Sequence, residues 1–454
     1  MRSDDSRRSG PDSSECQQLS GDARCAPFEV IERKERGKCL VARRDIQPGE
    51  LVLRDQPIVQ SPYTKSLAQC LQCGRKVDGS YRCRKCGFPM CDISCANGDV
   101  HRVECLILSG ENFEAEIDNV DEMDDHYACI MPLRCLALRT SDPEAWELFS
   151  GFQSHVSLQR RLHPTVWEYH QEHCVQFIWD VLELGHQFTA EEINEAVYIM
   201  YTNSVNMELG PGHGALTGFY PVFANMNHSC VSNTKTIKLP NNVLEVRSVK
   251  RIAKGEEIFT QYVSPEKTTN TRRKMLYKKW MFWCDCDRCR DRTECNSYLG
   301  ALLCPHIKCL GSSVPSNPTD EESDYECEVC GESVSAEYAA NIYREAQRDL
   351  KTPDSRYDLI QHLERFLFSH RHLLHPSNSL VISVKQKLGT LYGCHPYTME
   401  RLTMPMLERK LQVCLDVLQT LDKVDPGVNR WRQSVVTEIN KARIAIKLKR
   451  KVQD

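Results

Sequence analysis

Sulfur donors dominate the chemistry this sequence could do. The 454 residues include 24 cysteines. The densest run is Cys70-x2-Cys73-x9-Cys83-x2-Cys86-x4-Cys91-x3-Cys95-x5-His101-x3-Cys105, eight soft donors in 36 residues. That number and spacing suit two tetrahedral zinc ions. Each C-x2-C pair forms a tight knuckle that turns two thiolates toward one point. Cys91/Cys95 and His101/Cys105 are four apart, which puts each pair on one face if the segment is helical. Buried free thiols, the competing explanation, do not repeat at knuckle spacing. Further on, Cys284-x-Cys286-x2-Cys289 supplies three thiolates, so a closed site there needs a fourth from elsewhere. Cys304-x4-Cys309-x17-Cys327-x2-Cys330 has the spacing of a zinc ribbon, with His306 or Cys295 as alternative donors. Four-ligand sites of this kind are closed and structural.

Three other segments carry polar groups in motif-like order. They are Arg36-Gly37-Lys38-Cys39-Leu40-Val41-Ala42, Asn227-His228-Ser229-Cys230, and Gly255-Glu256-Glu257-Ile258-Phe259-Thr260-Gln261-Tyr262. Each alone is a weak signal. Their order, followed by C-x-C-x2-C, is the informative feature.

The elements that must position these groups follow from pattern. Charged residues make up 26% of the chain and the net charge is −4, which gives no general pull toward nucleic acid or membrane. No run of 18 apolar residues is present, so no transmembrane helix is expected. Without a secretory signal, the cysteines belong in a reducing compartment, cytosol or nucleus, and metal binding explains them better than disulfides. Residues 1–25 read as a disordered polar tail. Strand-and-turn text runs from Phe28 to Val59 and returns from Pro211-Gly212 to Tyr262. Glu111 to Asp125, eight acidic residues in fifteen, reads as a solvated linker or exposed helix. Helical spacing covers His126 to Tyr201, with Trp146, Trp167 and Trp179 as expected anchors, and resumes from Ala336 to the basic end Lys447–Lys451. That basic end reads as a solvated helix terminus ahead of a nuclear localisation signal.

The eight-donor series resembles the MYND finger, and the three polar segments with C-x-C-x2-C resemble the SET domain. With the finger inserted after the first segment, the stretch from about Phe28 to Cys289 resembles the SET-and-MYND (SMYD) family. The ribbon, with Leu374-His375-Pro376 and Leu391-Tyr392-Gly393, is most similar to its arthropod SmydA branch. The resemblance implies an α+β fold: a mainly β SET lobe with a helical insert, a MYND finger, a post-SET zinc site, a zinc-ribbon-like module and a C-terminal helical domain. The expected boundaries are 26–69 for the first SET part, 70–105 for the finger, and 106–202 for linker and helical insert. The SET core follows at 203–265, the post-SET region at 266–292, the ribbon at 293–335 and the helical domain at 336–454.

The resemblance also implies roles. Cys70, Cys73, Cys91 and Cys95 hold one zinc, and Cys83, Cys86, His101 and Cys105 the other. Cys230 completes the site with Cys284, Cys286 and Cys289. Arg36, Gly37 and Lys38 lie along S-adenosylmethionine, Asn203 binds its methionine end, Asn227 and His228 hold it, and Phe282 packs on the adenine. Tyr262 sits where cofactor and lysine meet, as cofactor contact and catalytic residue. The implied activity is methylation of a protein lysine, a histone included, with the finger recruiting a proline-containing peptide in transcriptional regulation. Three departures motivate a rival reading, an adaptor that has lost the reaction: Cys39 where the family has a second glycine, Val205 where it has phenylalanine, and Trp280 where it has a smaller aromatic. Nucleic-acid binding ranks last, because the finger holds six Lys/Arg against four Asp/Glu, a small excess for phosphate contacts.

Overall fold

The structure, a computed structural model, describes residues 26–453 apart from 35, 64–66, 118, 121, 209–212, 352–358, 395 and 428. The polar tail and the Pro211-Gly212 turn lie outside the described residues. A hairpin comes first: β1 (Phe28–Arg33) pairs antiparallel with β2 (Gly37–Ala42), from Phe28↔Ala42 to Arg33↔Gly37. Gly37 takes φ +66°, a left-handed conformation that a side chain would strain, and this closes the turn. From Cys39 onward β2 is buried. Leu40 and Ala42 share an apolar cluster with Ile46, Val52, Leu53, Val246, Ile252 and Ile258.

Two three-stranded sheets follow, built partly from residues that read as strand text; Val205–Glu208 and most of Val59–Pro62 lie outside those stretches. β3 (Leu51–Asp55), β8 (Leu244–Ser248) and β7 (Thr234–Lys238) run in the order β3-β8-β7. β4 (Val59–Pro62), β6 (Ala215–Phe219) and β5 (Val205–Glu208) form the other, in the order β4-β6-β5, with Val59↔Phe219 and Val205↔Gly218 in register. Between them lie α1 (Ile93–Ala96) and α2 (Asp99–Gly110) of the cysteine-rich segment, then α3 (Asp124–Ala128), α4 (Ile130–Ser141) and α5 (Pro143–Ser150). α6 (Val156–Leu162), α7 (Pro164–His170), a π-helix over Gln171–Val181 and α8 (Ala190–Asn203) complete the insert. Thr189 and Glu192 start α8 with reciprocal side-chain to main-chain hydrogen bonds.

Two expectations need correcting here. The acidic stretch after the finger is not simply solvated. Its apolar residues Ala115, Ile117 and Met123 are buried, and the Ala115 N–H donates to the Cys86 carbonyl at 2.9 Å, so the segment straps the finger. Trp146 and Trp167 are half-buried, and Trp167 stacks on Tyr198 at 5.4 Å, but Trp179 is 44% exposed. Trp179 lies in the π-helix, whose wider winding breaks the 3.6-residue period on which the anchor reading depends. Its indole covers Gly185, where a Cβ would come within 1.7 Å of the ring nitrogen.

The chain divides into two units. The first comprises Met1–Asn227, Thr236–Ile258 and Lys279–Met281; the second comprises His228–Lys235, Phe259–Lys278 and Phe282–Asp454. Residues 203–265 are shared between the two. In the second unit α9 (Thr269–Trp280, its last two residues counted with the first unit) and α10 (Asp287–Arg290) precede a small antiparallel sheet of order β12-β11-β10-β9. Its strands are β9 (Leu302–Leu303), β10 (Ser312–Pro315), β11 (Tyr325–Cys327) and β12 (Ser333–Val334). The helices α11 (Ala336–Asp349), α12 (Leu359–Ser369), α13 (Ser379–Leu391), α14 (Met404–Val424) and α15 (Arg430–Gln453) follow. α14 buries Leu407, Lys410, Val413, Cys414, Val417, Leu421 and Val424, a three-and-four spacing that makes one continuous stripe. Gly389 lets α13 approach it closely, since a Cβ there would lie 2.7 Å from the Cys414 sulfur. The basic end Lys447–Lys451 lies at the end of α15, with Arg450 and Lys451 in its last turn. Among the described residues no helix is long and apolar enough to cross a membrane.

Candidate functional site

Folding brings the sixteen metal-type donors together in four groups, each with its ligand atoms within 4.8 Å of one another. The groups are Cys70/Cys73/Cys91/Cys95, Cys83/Cys86/His101/Cys105, Cys230/Cys284/Cys286/Cys289 and Cys304/Cys309/Cys327/Cys330. His306 and Cys295 fall outside them. A zinc–thiolate bond of about 2.3 Å implies tetrahedron edges of about 3.8 Å. The observed edges fit: Cys73–Cys91 3.6 Å, Cys83–Cys105 3.7 Å, Cys230–Cys284 3.9 Å, Cys304–Cys330 3.6 Å and Cys309–Cys327 3.7 Å.

The second finger group is buried and has its outer partners in place. His101 lies on α2 with Cys105, its Nε2 3.7 Å from the Cys86 sulfur, while its Nδ1 meets Glu104 Oε1 at 2.8 Å. That carboxylate fixes the ring so that Nε2 faces the sulfurs. Arg134 on α4 donates to both Glu104 oxygens at 2.6 Å and to the carbonyls of Gln60 and Leu71. Burial works against the Glu104 carboxylate, but Arg134 and then His101 outweigh it and hold its pKa below the usual carboxylate range.

The Cys230 group is held differently. Arg272, fully buried on α9, donates to the Cys230 sulfur at 3.1 Å, to the Cys289 sulfur at 3.5 Å and to Glu294 at 2.5 Å. Arg288, also buried, reaches Glu294 at 3.2 Å and the Pro265 carbonyl at 2.7 Å. Two buried guanidiniums with one carboxylate leave a surplus positive charge beside the sulfurs. Four neutral thiols would not compensate it, whereas four thiolates around a divalent ion carry a net negative charge that does. The donor set therefore fits a metal. Arg134, Glu104, Arg272, Arg288 and Glu294 carried no signal in the sequence, because their contacts depend on chain segments brought together by folding.

The residues expected along the cofactor are divided between the units. Arg36, Gly37, Lys38, Asn203 and Asn227 are in the first, and His228, Tyr262 and Phe282 in the second. In the first, the Asn227 amide donates to Glu257 Oε1 at 2.9 Å, and Glu257 Oε2 pairs with Arg33 at 2.9 Å and Arg36 at 3.7 Å. Glu257 is 4% exposed, so the sequence segment around Tyr262 also supplies a buried anchor for the Asn227 motif. Open space faces Gly37, where a Cβ would meet nothing within 4 Å. Lys38 lies over the Phe152 ring at 5.4 Å, and Asn203, ending α8, donates its amide to the carbonyls of Ile199 and Gln153. The Cys39 side chain is buried; burial, and after it the charge of Glu257, push its thiol pKa up, so it stays protonated.

In the second unit His228 joins the tyrosine to the sulfur cluster. Its Nδ1 accepts the Tyr262 main-chain N–H at 3.0 Å, which leaves the proton on Nε2, 3.2 Å from the Cys230 sulfur. The His228 ring lies 5.4 Å from that of Tyr262 and 6.2 Å from that of Phe282. The Ser229 N–H donates to the Thr260 carbonyl at 3.0 Å, pairing the two motif segments in parallel.

The SET domain family matches residues 37–263, half of the chain, and the chain belongs to that family. Beyond that family, the chain is similar to SET-and-MYND proteins, SmydA proteins among them. SET domain-containing protein SmydA-8, isoform A, of Drosophila melanogaster is 24% identical over 414 residues, covering 89% of this chain and 86% of that protein. Histone-lysine N-methyltransferase ASHR1 of Arabidopsis thaliana is 25% identical over 318 residues, 65% of this chain and 62% of that protein. Histone-lysine N-methyltransferase SMYD3 of Mus musculus is 26% identical over 278 residues, 59% and 62%.

Proposed function

We propose that this SET protein transfers a methyl group from S-adenosylmethionine to a lysine side chain of a protein substrate, histones included. The observation that carries this reading is the fixing of Tyr262, whose main chain is held by His228 beside the Phe282 ring. Family membership and relatives named as lysine methyltransferases support it. The bound cofactor would supply an electrophilic methyl on a sulfonium. The chain's own residues then have three tasks. Arg36, Gly37 and Lys38 offer an open main-chain edge, and Asn203, Asn227, His228 and Phe282 bind and orient the cofactor. The lysine must arrive neutral: with a free pKa of about 10.4, that costs about 4 kcal/mol near neutral pH, which an apolar surround lowers by desolvation. Tyr262 aims the amine, and positioning supplies most of the rate.

The four donor groups hold zinc in this reading, two ions in the finger, one at Cys230 and one in the ribbon. All are closed structural sites. The finger recruits a proline-containing peptide; Ile93, 63% exposed between Cys91 and Cys95, supports an apolar contact there. Thiolate clusters of this kind suit a cytosolic or nuclear protein acting in transcriptional regulation.

The test is isothermal titration of zinc-replete protein with S-adenosylmethionine, followed by methyl transfer to lysine-containing proteins. Binding on the order of micromolar is expected, lost in Asn227→Ala, with transfer reduced in Tyr262→Phe while binding persists. Neither binding nor transfer would sink the reading and leave the finger's recruitment role, with Cys39, Val205 and Trp280 as the departures behind the loss.

A further inference from the structure

Three consecutive residues of the second unit, Asn233, Thr234 and Lys235, hold the chain that leads into Tyr262. Asn233 Oδ1 accepts the Phe259 N–H at 2.8 Å, and Thr234 donates its hydroxyl to the Phe259 carbonyl at 2.6 Å. Lys235 donates to Gln261 Oε1 at 2.6 Å. Gln261 in turn donates its Nε2 to the carbonyl of Cys230 at 3.0 Å. With an ammonium on one side and a carbonyl on the other, the orientation of that amide is determined. The residue next in the chain is Tyr262.

The far end of Lys235 reaches the helical region. Its ammonium pairs with Asp425, and the two side chains are 11% and 6% exposed. Asp425 ends α14, its N–H bonded to the Leu421 carbonyl at 2.8 Å. Its other carboxylate oxygen accepts from Asn429 at 2.6 Å, and Arg432, paired with Asp422 at 2.5 Å, reaches its carbonyl at 3.4 Å. The carboxylate is thus held firmly at one place. A buried ion pair adds little net stability, because desolvation cancels most of the attraction. Its effect lies in geometry: without Asp425 the ammonium would be drawn toward water and release Gln261.

We infer that Lys235 and Asp425 are positioning residues for the reaction strip, tying the end of α14 to Gln261 and thereby setting the placement of Tyr262. The inference rests on the reading of Tyr262 as the residue at the site of transfer. It assigns the C-terminal helices a part in catalysis that no contact with substrate or cofactor is needed to explain.

The test uses full-length protein with Lys235→Met/Asp425→Leu, a swap of similar volume that removes both charges and so preserves folding. Three quantities are read: kcat and KM for methyl transfer, the melting temperature, and amide hydrogen exchange of residues 259–263. The expected result is kcat lower by about tenfold with KM for S-adenosylmethionine within about twofold, since a displacement near 1 Å suffices for such a loss. Exchange at 259–263 should rise while the melting temperature holds. Asp425→Asn, which keeps an acceptor oxygen and folds more safely, should show a smaller change in the same direction. Unchanged kcat and unchanged exchange at 259–263 would overturn the inference and leave the methyl-transfer reading standing. Faster exchange at 259–263 in a protein whose wild type transfers no methyl would support the tie while removing that reading.

Discussion

The second donor group of the finger and the ribbon group have the same four-point geometry in opposite surroundings. Cys83, Cys86, His101 and Cys105 are all buried, with Glu104 and Arg134 buried behind them. In the ribbon, Cys330 is exposed, and Ile307 and Leu310 beside Cys309 are almost fully exposed. A small sheet with two-residue outer strands has little core to add. With zinc bound as proposed, a metal and an apolar core in the finger would share the work of holding the chain, so an electrostatic fault there spreads into packing. In the ribbon a bound zinc would hold the knuckles nearly alone, and a fault should stay local.

The sharpest test of this contrast is Arg134→Met. It strips the fully buried Glu104 of its cation, and the expected loss is about 3–5 kcal/mol, seen as a drop in the urea midpoint of the first unit together with loss of zinc. Retained stability would mean that the finger's outer partners are not part of the core. A somewhat smaller effect is expected for Arg272→Met at the Cys230 group, about 2–3 kcal/mol for hydrogen bonds to charged groups lost. Arg288 remains to pair Glu294, and faster zinc release to a chelator is the readout.

Asp55 separates the effect of burial from that of pairing. Burial pushes its pKa up to about 6, against the main-chain N–H groups of Phe223, Val222 and Gln56 that favour the charged form. A raised carboxyl pKa means that the fold prefers the protonated form. Its stabilisation is full below the unfolded value, near pH 4, and is lost as pH rises through about 6. Acidification from pH 7 to 5 should therefore stabilise wild type over Asp55→Asn by about 1 kcal/mol, measured as the difference in urea midpoints. A difference of the opposite sign would show that the two N–H bonds from Val222 and Phe223 dominate. The smallest effect on the whole is expected for Cys309→Ser: zinc content falls by one ion, while the unfolding of α11–α15 and cofactor binding stay as in wild type. Collapse of the helical region in that variant would erase the contrast.

Much of the candidate site was legible because its chemistry is local. Knuckle spacing identifies Cys70/Cys73 and Cys83/Cys86 in a single line, and the His101/Cys105 interval of four becomes one face of α2. Strand text around Gly37 and Leu244 became β2 and β8 for the same reason. Trp179 was misread because a helix of different winding follows the same apolar pattern. The acidic strap was misread because three apolar residues among eight acids suffice to seat it once a surface is there to receive them.

Residue type and spacing alone determined fifteen of the sixteen metal-type donors (Cys230 came from the family resemblance), the two strand-rich stretches, the helical insert and tail, and the likeness to a SET-and-MYND chain. Only the tertiary structure decided which charges stand behind the sulfurs, that Glu257 anchors Asn227, that His228 holds Tyr262 to the Cys230 cluster, and that Asp425 reaches Gln261 through Lys235. The physical reason is range. A knuckle or a helix face is set by residues within a few positions of one another, whereas a buried charge finds its partner wherever the packing of distant segments excludes water.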